Sequence, residues 1–441
     1  MSIEKTKKRL DNINFAHQNV KKYFKRHRIN DYIPGQVTYN LGEYPNYISM
    51  RPTEYDYNLI KSLSEKGVGL IQLHEDWNDS ISRNGADKWS CPDKDGMKEF
   101  IKLCHDFNIK VIPYISTGYV DCRMPYFKDD FLTRKKGGLD ATYFRYRCGD
   151  VNSPSWISFF MEKFKKVFDE YEFDGMYNDM GYGYEGMKWD ETPKNDPYLE
   201  DLMVRCYNFV KSFNGIVKIH NGFCWAPNTL DKVYDYLWVG ETLSDPKALD
   251  RSREFDPYII ACPDFRFVKN GQDEKFFAST IPYLQFLLRV DGRPLTGERA
   301  CVEGVEYVEH PYCRDQQHCL AVKEYMKTHP DGPYVYSLWS DIPDDVESRE
   351  RWFDYLALYK PMTQRDTTCY LGIKESTLTK EDVPDGINMS LFAGDELYLC
   401  ISNTSEKEQT IVFTDLWTDR KTNEKVNSLT LKPYDLYFLI K

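Results

Sequence analysis

From Gln36 to Tyr359 short β-rich runs alternate with amphipathic helical stretches, and this repetition restricts the fold more than any other feature of the chain. Helices that cross over between parallel strands build either a closed barrel or a doubly wound sheet. Runs at 37–41, 68–73, 110–115, 173–179, 216–219, 236–239, 258–262 and 334–338 read as eight strands. Helices are expected at 55–66, 95–107, 156–171, 198–213 and 346–359. In one of them Trp156, Phe160, Phe164, Val167 and Phe168 recur at three- and four-residue spacing, a core-facing stripe. Eight strands favour closure, so the expected fold class is α/β, a (β/α)8 or TIM barrel over residues 36–362. The mostly helical section 269–329 reads as an insertion over one face.

After Pro361 the texture changes. Segments 387–392, 396–402, 408–414 and 429–440 alternate polar and apolar residues, separated by turns such as Gly394-Asp395 and Asn403-Thr404-Ser405. A small antiparallel β-sandwich domain is expected over 363–441. Residues 1–35 are basic, with Lys5, Lys8, Arg9, Lys22 and Arg26 among apolar residues, and are expected to be helical and packed against the acidic remainder.

A closed barrel gathers the residues at the C-terminal ends of its strands into one cleft. The stretch FDGMYNDMG, Phe173 to Gly181, is an apolar strand ending in Asp179, the first candidate for a reacting group. The alternative is an Asp that fixes the following turn through its own side chain. Glu241 follows Gly240 at the end of the sixth run and is the candidate acid/base, with Asp245 and Asp264 as alternatives. Glu75, Asp76 and Trp77 follow the second run and would bind sugar hydroxyls and stack on the ring, or simply form a loop. Tyr114, Asn178, His220, Asn221, Trp225, Asp264, Arg266 and Trp339 complete the expected binding list. Of these, His220 could equally satisfy a local hydrogen bond, and Asp264 and Arg266 could pair with each other.

Two carboxylates flanked by aromatic platforms suit glycosidic bond cleavage, one protonating the leaving oxygen and the other attacking the anomeric carbon or activating water. Aromatic residues make up 15% of the chain, with 33 Tyr and 9 Trp, many beside charged or turn residues. A carbohydrate substrate is therefore expected. Net charge is −11, which argues against nucleic acid and anionic membrane as partners. The twelve cysteines show no CxxC pair and suit a reducing compartment. No apolar N-terminal segment or membrane-length run is present, so a cytoplasmic location is expected unless a signal has been removed. Two rival readings are a catalytically silent carbohydrate-binding barrel using Trp77, Tyr114 and Trp225, and a metal-dependent barrel hydrolase with His74, Asp76, His220 and Asp264 as ligands. No HxH or HExxH spacing supports the second.

The strand ends resemble those of the α-galactosidase clan of glycoside hydrolases and, more distantly, the related α-glucosidase family. Glu75-Asp76-Trp77 is similar to that clan's Asp-Asp-x-Trp, and Asn178-Asp179-Met180-Gly181 to its nucleophile strand. Trp225-Ala226-Pro227, Pro263-Asp264 and Ser340-Asp341 are similar to later strand ends. The resemblance spans 36–441 and implies a retaining, exo-acting α-glycosidase without a cofactor, working through a covalent glycosyl-enzyme with Asp179 as nucleophile. Two positions depart from it: Tyr177 stands where the galactosidases carry Lys, and Glu241 where they carry Asp.

Overall fold

The structure, a computed structural model, describes residues 3–29, 32–41, 50–73, 77, 89, 91, 93–117, 119–121, 125–131, 146–179, 197–221, 231–240, 245–255, 258–264, 272–293, 300–302, 334–336, 346–363 and 369–441. Its centre is a closed barrel of parallel strands. In spatial order these are β2 (Gln36–Asn40), β3 (Leu70–Leu73), β4 (Lys110–Ile112) continued after Pro113 by β5 (Tyr114–Ser116), β8 (Gly175–Asp179), β9 (Ile216–Asn221), β10 (Tyr236–Val239), β11 (Ile260–Pro263) and β12 (Arg289–Gly292). β12 pairs with β2, and a parallel bridge from Asp264 to Leu288 joins β11 to β12, so the ring closes. The helices α2 (Glu54–Glu65), α3 (Lys94–Asp106), α4 (Pro154–Glu170), α5 (Pro197–Ser212), α6 (Asp273–Thr280) and α7 (Val346–Tyr359) follow the strands as crossovers. Two antiparallel ribbon pairs, β6 (Tyr119–Asp121) with β7 (Tyr146–Cys148) and β13 (Ala300–Val302) with β14 (Tyr334–Tyr336), lie outside the ring.

The eighth strand is the main departure from the sequence reading. Residues 334–336 pair antiparallel with β13, and the ring is closed instead by Arg289–Gly292, a stretch read as insertion. Arg289 and Asp291 interrupt the apolar run Phe286-Leu287-Leu288, which hides a strand from a search for continuous apolar residues. Both are nevertheless buried, at 0% and 1% exposure, because they meet each other and Arg349 of α7 in the layer between strand and helix. α6 accordingly fills the ordinary crossover between the seventh and eighth strands.

Local chemistry sets the strand positions. The stripe read in α4 is buried at Trp156, Phe160, Phe164 and Val167, and Ser153 caps the helix by accepting from the Trp156 amide, with Pro154 in its first turn. Gly175 opens β8 at φ 149°, and a Cβ there would lie 1.9 Å from the Ile216 carbonyl oxygen, so only glycine lets β8 approach β9 this closely.

The C-terminal domain is a seven-stranded sheet in the order β1 (Val20–His27), β15 (Cys369–Ser376), β16 (Ile387–Ala393), β17 (Leu397–Asn403), β20 (Leu436–Ile440), β18 (Gln409–Asp419) and β19 (Lys425–Leu431). It bends back on itself: Phe413 in the middle of β18 bridges Thr379, just beyond β15, while Thr418 at its end pairs with β20. The interior so formed holds Leu391, Leu399, Ile401, Phe413, Trp417 and Leu431. The single run expected at 429–440 is two strands, because Tyr434 at φ 66° turns the chain between them.

The N-terminal segment is helical only as α1 (Ile3–Asn19). From Val20 it becomes the edge strand β1, paired with β15, where Val20 and Phe24 pack inward between charged neighbours. Its basic residues do meet acids: Lys5 and Arg9 reach Asp395, and Lys8 reaches Glu396. Among the described residues no helix is long and apolar enough to cross a membrane.

Candidate active site

The barrel interior is identified by one contact across it. Lys218 of β9 donates from Nζ to Oε1 of Gln36 on β2 at 3.0 Å, and both side chains are fully buried. Side chains alternate along a strand, so His220 shares the inner face of Lys218, and Thr38 that of Gln36. Register carries this face sideways from Lys218 to Tyr177 and Tyr236, and from His220 to Trp238 and Cys262.

A chain of rings results. Tyr114 of β5 meets Tyr177 of β8 edge-on at 5.7 Å, Tyr177 lies 5.4 Å from Trp238 of β10, and Trp238 stacks on His220 at 4.4 Å and 25°. These rings line four neighbouring strands just before their C-terminal ends. Asp179 is the last residue of β8, its backbone paired with Ser116. Its side chain lies outside the described residues.

The inner wall also carries polarity that the fold leaves unpaired. Thr38 Oγ1 and both amide atoms of Gln72, on adjacent strands, are buried without hydrogen-bond partners. Each such group costs about 1–3 kcal/mol if it stays unpaired, an arrangement that favours a polar guest. Asp264, 1% exposed, sits one residue beyond β11.

Burial holds the Lys218 ammonium down to about 8, against the opposing influence of Cys262 and Asp264. An unfolded lysine releases its proton near ~10.4, so between the two values the unfolded chain binds more protons and stability rises with pH. Removing the charge should remove that slope. Relative to Lys218→Met, the wild type should gain up to about 3 kcal/mol between pH about 7 and about 10, read from urea melts. Parallel curves would mean that the ammonium is not held in the interior.

Several expected binding residues take other places. Trp77 is fully buried, donates from Nε1 to the Tyr114 carbonyl at 2.8 Å and meets Tyr171 and Phe173 edge-on. It is a core residue with no face toward the mouth. Asn178 is 2% exposed, and its Oδ1 accepts from the Thr117 amide and hydroxyl at 3.2 and 3.3 Å; as the residue before Asp179 it occupies the opposite face of β8. Tyr114 and His220 are in the ring chain, as buried walls below the strand ends. Asp245, an alternative acid/base, is exposed and caps the 3-10 helix Pro246–Glu254 by accepting from the Lys247 amide.

Glu75, Asp76, Trp225, Glu241, Arg266 and Trp339 lie outside the described residues, as does the side chain of Asn221. Gly240, just before Glu241, has φ 77°, so glycine is what lets the chain turn out of β10 there. Of the metal-ligand set, His74 and Asp76 also fall outside the described residues, and among those described no three potential ligands cluster. Sequence reading missed Lys218, Gln36, Thr38, Gln72 and Trp238. The two-residue spacing of Lys218 and His220 in β9 was a usable signal.

No protein-family model matches the chain, and no curated protein matches it in sequence. Solved structures do match. An α-glucosyl transfer enzyme superposes with a TM-score of 0.60 at 9% identity, over 95% of this chain and 100% of its own. The α-amylase of Geobacillus thermoleovorans in complex with acarbose gives 0.58 at 12% identity, over 93% and 99%. A maltogenic α-amylase of Thermotoga neapolitana gives 0.57 at 10% identity, over 92% and 98%. What is shared at such identities is the fold, a (β/α)8 barrel followed by an antiparallel C-terminal domain. This likeness shows the barrel architecture and does not bear out the α-galactosidase clan specifically.

Proposed function

We propose that the chain is a retaining glycoside hydrolase acting on α-glycosides, with Asp179 as nucleophile and Glu241 as acid/base. The observation that carries this reading is the position of Asp179, the last residue of the fourth strand of a closed parallel barrel, directly above a wall of rings from β5, β8, β9 and β10. Carboxylates at strand ends are where such barrels hold their reacting groups. The rings beneath Asp179 are buried and form a packed apolar floor below the strand ends where a sugar would rest, with the unpaired Thr38 and Gln72 in the same inner wall.

In the first step Asp179 attacks the anomeric carbon while Glu241 protonates the departing oxygen. In the second, Glu241 removes a proton from water, which releases the sugar from Asp179 and restores the original anomeric configuration. The pair requires no metal to balance these steps.

α-Glucosides are favoured over α-galactosides. The neighbouring structures are named for α-amylases and α-glucosyl transfer, and the lysine of the galactosidases is replaced by Tyr177, which is 1% exposed and packed among rings. A lysine does occupy the paired position on the next strand, but Lys218 is committed to Gln36.

The test is release of p-nitrophenol from aryl α- and β-glycosides, with and without chelator. Turnover of an α-glucoside that is indifferent to chelator is expected. Hydrolysis of α-galactoside alone would reverse the specificity. Binding of sugar without any turnover would establish a silent barrel instead.

A further inference from the structure

At the other end of the barrel, where the strands begin, lies a cavity of about 940 Å³. It is walled by strand starts, including Lys110 of β4, Ile216 of β9, Tyr236 of β10 and Ile260 of β11, so it is separate from the strand ends that carry Asp179. Its charge is opposite to that of the protein. Among the described residues six lysines and arginines line it against a single carboxylate, Asp235, a charge of +5 from those residues in a chain of net charge −11.

The cations divide by what they already hold. Lys211 and Lys232 reach Asp235 at 3.1 and 3.2 Å, and Lys360 donates to the Gly67 carbonyl at 3.0 Å. Arg26, Arg28 and Lys110 have no carboxylate partner among the described residues. They come from two separate elements, the end of β1 and the start of β4, so the excess is assembled by the tertiary fold and is not a run in the sequence. His27 adds no charge at neutral pH, because burial and the nearby Lys25 and Lys232 push its imidazole down to about 4.

We propose that this cavity binds a phosphate-bearing small molecule, the phosphate held by Arg28 and Lys110 and the organic part resting on the tyrosines of the wall. Arginine and lysine are the side chains that recognise phosphate. The volume falls within the range of small-molecule sites, and Tyr207, Tyr236 and Tyr258 supply the amphipathic surface that a sugar or a base would cover. A concave, aromatic-lined pocket in an otherwise acidic protein suits a compact ligand and not an extended polyanion, which needs a positive surface beyond the pocket rim.

Calorimetric titration and thermal melting of the full chain at low ionic strength would test the site with pyrophosphate, glucose 6-phosphate and ATP as probes. At least one should bind and raise Tm, and the three together tell whether a sugar or a base accompanies the phosphate. Arg28→Glu with Lys110→Glu should weaken binding by about tenfold or more per cation lost, while aryl-glycoside turnover stays unchanged. Arg28→Gln, a milder change at an exposed position, should weaken it in the same direction and guards against misfolding. Absence of binding by all three probes up to millimolar concentration overturns the proposal, as does equal binding by wild type and both variants.

Discussion

Asp179→Asn should lower glycoside turnover by about 10⁴-fold or more while leaving Tm within about 1 °C of the wild type. Asparagine has the shape of aspartate but cannot form the glycosyl ester, so the first chemical step is lost and little else. The backbone offers no reason for a stability change. β8 lies inside the ring, paired with β5 on one side and β9 on the other, and Asp179 closes it in register with Ser116. If the residue instead fixed the turn that follows, the variant would lose stability and keep much of its turnover. Residual activity near the wild-type level would remove Asp179 from the mechanism.

Arg293→Met or Asp56→Ala should each cost about 3–5 kcal/mol of stability, the largest loss expected from any single ion pair described. The pair is almost dry, at 4% and 0% side-chain exposure. Arg293 gives Asp56 three hydrogen bonds, at 3.0, 3.1 and 2.7 Å, and also donates to the carbonyls of Leu41 and Arg51. Asp56 also accepts from the Tyr39 hydroxyl at 2.6 Å and from the Thr53 amide at 2.8 Å. Removing Arg293 takes its counter-charge from the buried Asp56 carboxylate, and removing Asp56 takes from the buried Arg293 the carboxylate that receives three of its hydrogen bonds. Burial alone would raise the Asp56 carboxyl, but the bonds and charge of Arg293, with Tyr39 and Thr53, outweigh it and hold the group below the usual carboxylate range.

That depression gives a sign. The unfolded chain takes up a proton at ordinary carboxylate values and the folded one only below them, so the pair's contribution is complete above that range and is lost as pH falls through the folded value. Urea melts at neutral and acid pH should show the gap between wild type and Asp56→Ala narrowing in acid. Replacing both residues with apolar ones should recover part of the loss. A cost under about 1 kcal/mol for each single variant would show that the pair is not desolvated. The location explains its weight: Arg293 follows β12 and Leu41 follows β2, so these bonds lie across the seam where the ring closes.

The alternation, and through it the architecture, was legible in the residues alone. β10 and α7 lie at the residues read for them, and the stripe of α4 is buried as expected, because a repeating amphipathic period can be satisfied only by burying one face. Equally legible was the strand end at Asp179, since apolar residues followed by turn formers leave the chain few alternatives. Local pattern could not assign roles to residues whose surroundings come from distant segments. Trp77 after β3 looks like a stacking platform until Tyr171 and Phe173 enclose it. Arg289 and Asp291 make β12 look like loop until Arg349 covers them. Nothing near Lys218 in sequence singles it out, and its place follows from Gln36, 182 residues away, which meets it inside the barrel. Burial and charge compensation depend on contacts far apart in sequence, so which polar residues face the interior, where the ring closes and how a basic cavity gathers in an acidic protein follow from the folded chain and not from local pattern.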